Sequence, residues 1–269
     1  MSAKAMLRNA LPGWMLRSVR PVYHVLYRAG LAVQCWLLDL AAAPGVPPAM
    51  LRFRVCETTD LSVFFAVGEK TAQYLEENLA GTGVSLRDFG RVLDFGCGAG
   101  RTLRWLTARF PEVHFSGCDV DADAIAWCQR NLPGADYRTN GPVPPASFPD
   151  VSFDLVYAIS VFTHLSLEHQ QLWLSELHRL LKPGGLLLFT VHGEGAWQSL
   201  PPDKQEKIRR EGFHFETSTK LRGIVPEGYH TAYHNESGVR WILGDSFRVL
   251  AYNPGGMGFH DVVIAQAAK

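Results

Sequence analysis

A strand that runs into a glycine-rich turn and then into a helix is the feature that most constrains this chain. The segment 91–95 (RVLDF) reads as a short buried strand, and 101–110 reads as a helix that ends before Pro111. The turn between them has glycine at every second position: Gly96, Gly98 and Gly100. Without side chains there, a ligand can lie against the backbone at the helix N-terminus.

Strand and helix patterns alternate along the rest of the chain. Further strands are predicted at 113–118, 135–138, 152–160 and 186–192, and helices at 62–79, 122–132 and 167–185. Two final strands, 246–253 and 260–266, flank a glycine-rich turn and predict an antiparallel hairpin. We therefore expect an α/β fold with a Rossmann-like, doubly wound, mostly parallel seven-stranded sheet and an antiparallel terminal hairpin. The helix at 167–185 is expected to bury Leu172, Leu177, Leu180 and Leu181.

Two acidic residues at strand ends narrow the choice of ligand. The dinucleotide fingerprint G-x-G-x-x-G would need its third glycine at position 101, where this chain has Arg101. The nicotinamide interpretation is therefore disfavoured. Asp94 precedes the glycines, and Asp119 ends the next strand 25 residues later. One carboxylate can hold an ammonium group and the other can hold ribose hydroxyls.

Four motifs follow one another along the chain: VLDFGCGAGR at 92–101, GCDVD at 117–121, FDLVYAISVFTHL at 153–165 and LLKPGG at 180–185. In this order and spacing they resemble the class I S-adenosylmethionine-dependent methyltransferases. The resemblance implies that Asp94 anchors the methionine amine, that Asp119 accepts both ribose hydroxyls and that Val120 contacts adenine. The cofactor-binding residues that it implies are Asp94, Phe95, Gly96, Cys97, Gly98, Gly100, Asp119, Val120, Asn140, Gly141 and Ile159.

One position departs from that family's pattern. Many members carry an acid after the third strand, which accepts a hydrogen bond from the adenine amino group, whereas this chain has Asn140 followed by Gly141. An asparagine side-chain carbonyl can accept the same hydrogen bond, so Asn140 stays a candidate cofactor residue. The alternative is that Asn140 is only the first residue of an Asn-Gly turn.

His164 is the candidate catalytic residue. It follows the fourth strand, at the carboxyl end of the sheet where such folds place ligands. An imidazole with an ordinary pKa near 6.5 can take a proton from a hydroxyl or ammonium substrate at neutral pH. The alternative role for His164 is a wall of the pocket, with proximity alone accelerating the transfer.

A long insertion after the fifth strand, at 193–245, is expected to form a lid over the substrate. Its aromatic and imidazole side chains favour substrate contacts by Tyr233 and His234, and by His192 at the end of strand five, although such residues also form the cores of small subdomains. A helix capped by Asn235 is expected within the insertion. Histidines 192, 214, 230 and 234 lack a matching carboxylate pattern, so a metal site is not expected.

Charge and cysteine content argue against two classes of protein. The 26 Lys and Arg residues balance the 26 Asp and Glu residues, so the chain has no electrostatic bias toward nucleic acid. The five cysteines are odd in number and lack CxxC spacing, which suggests neither a disulfide framework nor a zinc site. A reducing, cytoplasmic compartment is therefore expected.

The first 38 residues differ from this neutral average, with five basic residues and no acid: Lys4, Arg8, Arg17, Arg20 and Arg28. Polar residues interrupt the apolar stretch at 22–43, so it is not predicted to span a membrane. They are His24, Arg28, Gln34 and Asp39. We expect a helical extension and Pro-rich linker over 1–50, packed on a methyltransferase domain at 51–269. A helix on an anionic membrane surface and a cleaved targeting peptide are the alternatives.

The predicted function is S-adenosylmethionine-dependent methylation of a small-molecule or lipid-linked acceptor, with O-methylation favoured. Catechol-type enzymes bind magnesium through acids near the ends of strands four and five, where this chain has Ser160, Thr163 and His164. Metal independence is therefore expected. Two alternatives are a regulatory or scaffold protein that binds the cofactor without catalysis, and an enzyme that transfers an aminopropyl group.

Overall fold

The structure is a computed structural model that describes residues 13–219, 221–225 and 230–268, with side chains from Val22 onward. The strands are β1 (Arg91–Phe95), β2 (His114–Asp119), β3 (Ala135–Thr139), β4 (Phe153–Ala158), β5 (Leu181–Val191), β6 (Phe213–Glu216), β7 (Thr231–His234), β8 (Phe247–Met257) and β9 (His260–Ala267). The α-helices are α1 (Gly13–Leu40), α2 (Ala49–Cys56), α3 (Leu61–Ala80), α4 (Leu103–Arg109), α5 (Ala122–Asn131), α6 (Leu167–Leu180), α7 (Glu194–Trp197), α8 (Pro202–Glu211) and α9 (Glu236–Leu243).

Seven strands form one sheet in the order β3-β2-β1-β4-β5-β9-β8. The first five strands of this sheet pair in parallel, and β9 pairs antiparallel with both β5 and β8. The predicted Rossmann-like sheet and its terminal hairpin are therefore confirmed.

Both faces of the sheet are covered. Val92 packs in an apolar cluster on one face and its neighbour Leu93 packs in a second cluster on the other, because successive strand residues point to opposite sides. A strand buried on both faces reads as a continuous apolar run, and this is why RVLDF is recognisable in the sequence.

The end of α6 differs from the expectation. The helix stops at Leu180, and Leu181 already pairs with Phe153 as the first residue of β5. Leu172 is 44% exposed, so its predicted burial is wrong. The buried stripe instead follows helical spacing: Gln170, Trp173, Leu174, Leu177 and Leu180. Each residue turns a helix by about 100°, which carries Leu172 off this stripe.

The insertion after β5 has its own small sheet, in which β6 and β7 pair antiparallel. Asn235 caps α9 as expected, since its side-chain oxygen accepts a hydrogen bond from Gly238 N at 2.8 Å. Ala232 N donates to Thr163 O at 2.8 Å. The insertion is thereby joined to the loop that follows β4.

Helix α1 meets the rest of the molecule through few residues. Leu31 and Cys35 are its buried apolar positions, and they pack with Phe53 of α2 and with the segment 221–225. Asp39, near its end, accepts a hydrogen bond from Ala49 N at 2.7 Å, which links α1 to the start of α2. No helix in the described residues is both long enough and apolar enough to cross a membrane.

Candidate functional site

A cavity of about 390 Å³ lies at the carboxyl ends of β1, β2 and β4. Residues at 94–98, 119–121 and 159–161 form much of its wall. Because β1 lies between β2 and β4, and parallel strands end at the same edge of a sheet, these three turns converge on one space.

Two glycines keep the turn after β1 close to its neighbours. Gly96 and Gly98 adopt positive φ angles of 85° and 51°. A Cβ at Gly96 would lie 2.3 Å from Val161 Cγ2, and a Cβ at Gly98 would lie 2.5 Å from Val55 Cγ1. A side chain at either position would displace a wall of the cavity, so the residue type that the sequence pattern singles out is required here by space as well as by conformation.

Two other glycines that the resemblance assigned to the cofactor do not line the cavity. Gly100 has a φ of 64°, and a Cβ there would lie 2.4 Å from Leu132 Cδ1, just after α5. A Cβ at Gly141 would lie 3.3 Å from Val143 O within its own turn. Both glycines shape the backbone of their turns, and their contact with the cofactor stays a prediction.

Asp119 lies beside the glycine turn. Its Oδ2 accepts a hydrogen bond from Gly98 N at 2.7 Å, and its Oδ1 accepts one from Asp121 N at 2.8 Å. Burial raises the pKa of Asp119, although these backbone donors oppose the shift. A carboxylate oxygen has two lone pairs, so each oxygen can accept a further hydrogen bond from a ligand hydroxyl.

Asp94 is almost fully buried at the end of β1. Burial raises the pKa of its carboxyl to about 7, the nearby Tyr157 hydroxyl lowers it and the Asp119 charge raises it further. A cationic ligand beside Asp94 would favour the charged carboxylate, so this residue can hold an ammonium group.

Asn140 follows β3 and lines the cavity. Its Nδ2 donates to Gly141 O at 2.7 Å, which is the turn contact. Its side-chain oxygen is buried and has no hydrogen-bond partner among the described residues. A buried, unpaired acceptor at a cavity wall fits a donor on a ligand, such as an amino group. Asn140 therefore makes the turn contact and also presents an acceptor oxygen at the cavity, the two roles that the sequence left open.

His164 lines the same cavity in the loop after β4. Its Nδ1 lies 2.7 Å from His230 O. Because a carbonyl oxygen only accepts, Nδ1 carries the proton and the neutral ring has its lone pair on Nε2. Burial lowers the pKa of His164, so this neutral form prevails at neutral pH. His164 therefore has the protonation state of a proton acceptor.

The three residues expected to contact the substrate do not line the cavity. His192 lies behind His164, with 6.4 Å between the ring centroids, and its ring is 5.5 Å from that of Tyr233. His234 is fully buried, with Nε2 at 2.9 Å from Gln170 Oε1. His192 and Tyr233 form a backbone bridge, so the expected substrate residues pack the insertion onto the sheet instead.

The insertion contributes Phe215 and His230 to the wall in their place. The two rings are 5.2 Å apart, edge to face. The segment FHF and the histidines of the insertion stand out in the sequence, but spacing alone does not say which of them face a cavity. The neighbouring Tyr229 lies outside the described residues.

Helix α2 contributes Arg54 and Val55, which the sequence analysis missed. Arg54 Nη1 lies 2.8 Å from Asp121 Oδ2, and its Nε donates to Ile224 O at 3.0 Å. Arg101 Nη1 donates to Val55 O at 2.9 Å. These contacts hold α2 over the glycine turn. The only available signal was arginine in a short helix after the Pro-rich linker, which is too common to mark a site.

The described residues contain no group of three or more His, Cys, Asp or Glu side chains placed to hold a metal ion. Two histidines of the insertion have separate partners: His214 lies 3.2 Å from Glu216 Oε1, and His234 lies beside Gln170.

A family model described as a methyltransferase domain matches residues 92–185. Over 102 residues the chain is 37% identical to phthiotriol/phenolphthiotriol dimycocerosates methyltransferase 1 of Mycobacterium ulcerans, a match that covers 37% of this chain and 36% of that protein. It is 34% identical, with the same two coverages, to a fatty-acid O-methyltransferase of Mycolicibacterium smegmatis. The chain thus matches little more than a third of the length of these curated relatives.

The likeness in fold extends beyond that segment. A solved S-adenosylmethionine-dependent methyltransferase from Methanosarcina mazei has a TM-score of 0.53 and 19% identity, covering 70% of this chain and 97% of that one. At this identity the likeness concerns the fold alone.

Proposed function

We propose that the chain, whose residues 92–185 match a methyltransferase-domain model, transfers a methyl group from S-adenosylmethionine to a small-molecule or lipid-linked acceptor. One observation carries the proposal. A single cavity is lined both by the glycine turn with Asp119 and by His164. A nucleoside-binding end and a proton acceptor therefore share one space.

The residues present fit the cofactor. Gly96 and Gly98 leave the backbone open to a ligand, and Asn140 offers a buried oxygen that lacks a partner among the described residues. In our proposal Asp94 holds the ammonium group and Asp119 holds the ribose hydroxyls. The remaining contacts are backbone and side-chain contacts to the methionine by 95–98, apolar contacts to adenine by Val120 and Ile159, and a hydrogen bond to the adenine amino group by Asn140.

His164 is the proposed general base. When bound, S-adenosylmethionine supplies a methyl group activated on a sulfonium. His164 Nε2 would take the proton of the acceptor hydroxyl, and the oxygen would form its bond to the methyl carbon as the bond from that carbon to sulfur breaks, leaving S-adenosylhomocysteine. The His230 carbonyl holds Nδ1–H and so fixes which ring nitrogen receives the proton. This arrangement favours O-methylation, as does the similarity to a fatty-acid O-methyltransferase.

The wall of the cavity as a whole is largely apolar. Val161, Leu165 and Phe215 are part of it, together with polar residues such as Ser166 and His169. An acceptor with a hydrocarbon portion would bury apolar surface there. We therefore favour a lipid-like or otherwise apolar alcohol or acid over a highly charged acceptor.

In our proposal the reaction needs no metal, as expected from the side chains near the ends of strands four and five. All five cysteines are free, which supports a reducing compartment such as the cytoplasm. An excess of EDTA is expected to leave the rate unchanged, and a loss that magnesium restores would refute metal independence.

The test has two steps. Calorimetry with S-adenosylmethionine and with S-adenosylhomocysteine measures cofactor binding. Incubation with methyl-labelled S-adenosylmethionine and fractionated cell extract then identifies the fraction that takes up the label. Absence of binding would overturn the proposal. Binding with no transfer to any fraction would favour a regulatory or scaffold protein, an alternative that the open cavity beside His164 does not support.

A further inference from the structure

Helix α1 has an outer face that nothing in the described residues covers. If each residue turns the helix by about 100°, the polar residues His24, Arg28, Gln34 and Asp39 share an arc of about 140°. Leu31 and Cys35 lie on that same arc and are buried against the domain. The polar arc is therefore the side that faces the protein, which explains why apolar residues occur within it.

The remaining arc of about 220° has no charged residue between Val22 and Leu40. All of its residues are exposed: Val22, Tyr23, Val25, Leu26, Ala29, Gly30, Ala32, Val33, Trp36, Leu37 and Leu40. This stretch of helix is about 27 Å long at 1.5 Å per residue. A continuous exposed apolar surface of this kind marks an interaction site.

The exposed face could be covered by a second copy of the chain or by a lipid surface, and the charge of the N-terminal segment favours the lipid surface. Besides Arg28, which lies on the arc that faces the protein, the chain carries Arg17 and Arg20 within α1, two further basic residues before it and no acid until Asp39. A second copy of α1 would offer these basic residues a single acid, Asp39, which already accepts a hydrogen bond from Ala49 N. An anionic lipid surface accepts both the apolar face and the positive charge. Since no described helix can cross a membrane, α1 would lie along the surface.

We propose that α1 docks the protein on an anionic lipid bilayer, with the arc from Val22 to Leu40 buried at the interface. The docked helix lies close to the cavity wall. Leu31 and Cys35 pack in one apolar cluster with Phe53, and Arg54 and Val55, which follow Phe53 on α2, line the cavity. If the proposed methyl transfer is correct, this position brings the cavity near acceptors carried in the bilayer.

Co-sedimentation of the full chain with vesicles tests the docking. We expect binding to phosphatidylcholine vesicles that contain phosphatidylserine, weak binding to phosphatidylcholine alone, and release as salt concentration rises. Trp36→Glu should weaken binding at least tenfold. Trp241→Glu is the matched control, because Trp36 and Trp241 are both 61% exposed and Trp241 lies on α9. Arg17→Glu with Arg20→Glu should abolish the preference for phosphatidylserine.

Three results would overturn the docking: no binding at low salt, equal losses in Trp36→Glu and Trp241→Glu, or a dimer in sedimentation equilibrium that Trp36→Glu dissociates. The last would show that a second copy covers the face. Calorimetry with S-adenosylmethionine on the same samples separates the two proposals. Trp36→Glu should bind the cofactor as the unchanged chain does, whereas absence of binding in both would refute the proposed function and leave the docking result standing.

Discussion

Burial shifts the pKa values of the main ionisable residues at the site. Asp94 and Asp119 both have a raised pKa because they lie out of water at the ends of neighbouring strands, and His164 has a lowered pKa for the same reason. The sequence predicts which residues these are, since each belongs to a motif with fixed spacing. It could not predict that His234 is buried behind the cavity, because that depends on how β7 pairs with the rest of the insertion.

Asp119→Asn is expected to weaken S-adenosylmethionine binding. The change removes the negative charge beside the glycine turn and replaces one acceptor oxygen by a donor. Hydrogen bonds to a charged group contribute about 1.5–3 kcal/mol, so we expect a loss of affinity of about 10- to 150-fold by calorimetry. Asp123→Asn is the control, since Asp123 is 78% exposed nearby. Equal affinity in Asp119→Asn and the unchanged chain would refute the role of Asp119.

His164→Ala is expected to reduce kcat by about 100- to 10,000-fold and to leave cofactor affinity intact. Because burial lowers the pKa of His164, the base form should persist below the ordinary histidine range. The rate of the unchanged chain should therefore rise with pH through a midpoint below about 6.5 and then level off. The exposed His114→Ala serves as control. A rate within threefold of the original in His164→Ala would make His164 a pocket wall.

Elements position the cavity through contacts that cross long distances in sequence. Helix α2 is short. It lies over the glycine turn because Arg54 contacts both Asp121 and Ile224 O. The alternating strands and helices from β1 to β5 follow from local periodicity, so their order could be predicted. The position of α2 could not be predicted, because contacts of residue 54 with residues 121 and 224 produce no periodic pattern in the sequence near residue 54.

Arg54→Met should destabilise the protein by about 1–3 kcal/mol, because it leaves the buried Asp121 carboxylate without its cation. Arg240→Met is the matched control. Arg240 and Glu236 form an i,i+4 pair in which both side chains are at least half exposed, and such pairs contribute about 0.3–0.5 kcal/mol. Urea unfolding of the two variants measures the difference. Similar losses in both would mean that the contact between Arg54 and Asp121 does not hold α2 in place.

The molecule as a whole buries several histidines in neutral form. Burial lowers the pKa of His192 to about 4 and those of His234 and His260 to about 3, and it lowers that of His164 as well. All of these residues lie in or next to the region where the insertion meets β5 and β9. No single motif contains them, so this property of the molecule is not visible in the sequence.

Stability is expected to fall as pH falls from about 6.5 to about 4. In this range the unfolded chain protonates these four histidines, whereas in the folded chain each of them has a lowered pKa and takes up its proton at a lower pH, so protons favour unfolding. Asp94 and Asp119 act in the opposite direction because their raised pKa values let the folded state bind protons first. The four histidines outnumber the two acids, and each net proton changes the free energy of unfolding by about 1.4 kcal/mol per pH unit.

Urea unfolding at pH 7, 6 and 5 measures this dependence. His260→Gln should flatten it, because one proton-binding group is lost from the unfolded state. His114→Gln should leave it unchanged, since His114 is exposed in the folded state. Stability that stays constant or rises toward pH 5 would contradict the expected sign.

The cavity wall has two origins. The turns after β1, β2 and β4 lie within 92–185, the segment shared with known methyltransferases, whereas Arg54, Val55, Phe215 and His230 lie outside it. Mutations in the flanking segments can therefore change one side of the cavity, while the side formed by residues of 92–185 stays the same. If the proposed methyl transfer is correct, changes in the flanking segments can alter the acceptor while the proposed cofactor contacts stay the same. For protein engineering, the boundary near residue 192 is a natural crossover point, and a chimera that exchanges 193–245 between relatives is expected to carry acceptor preference with it.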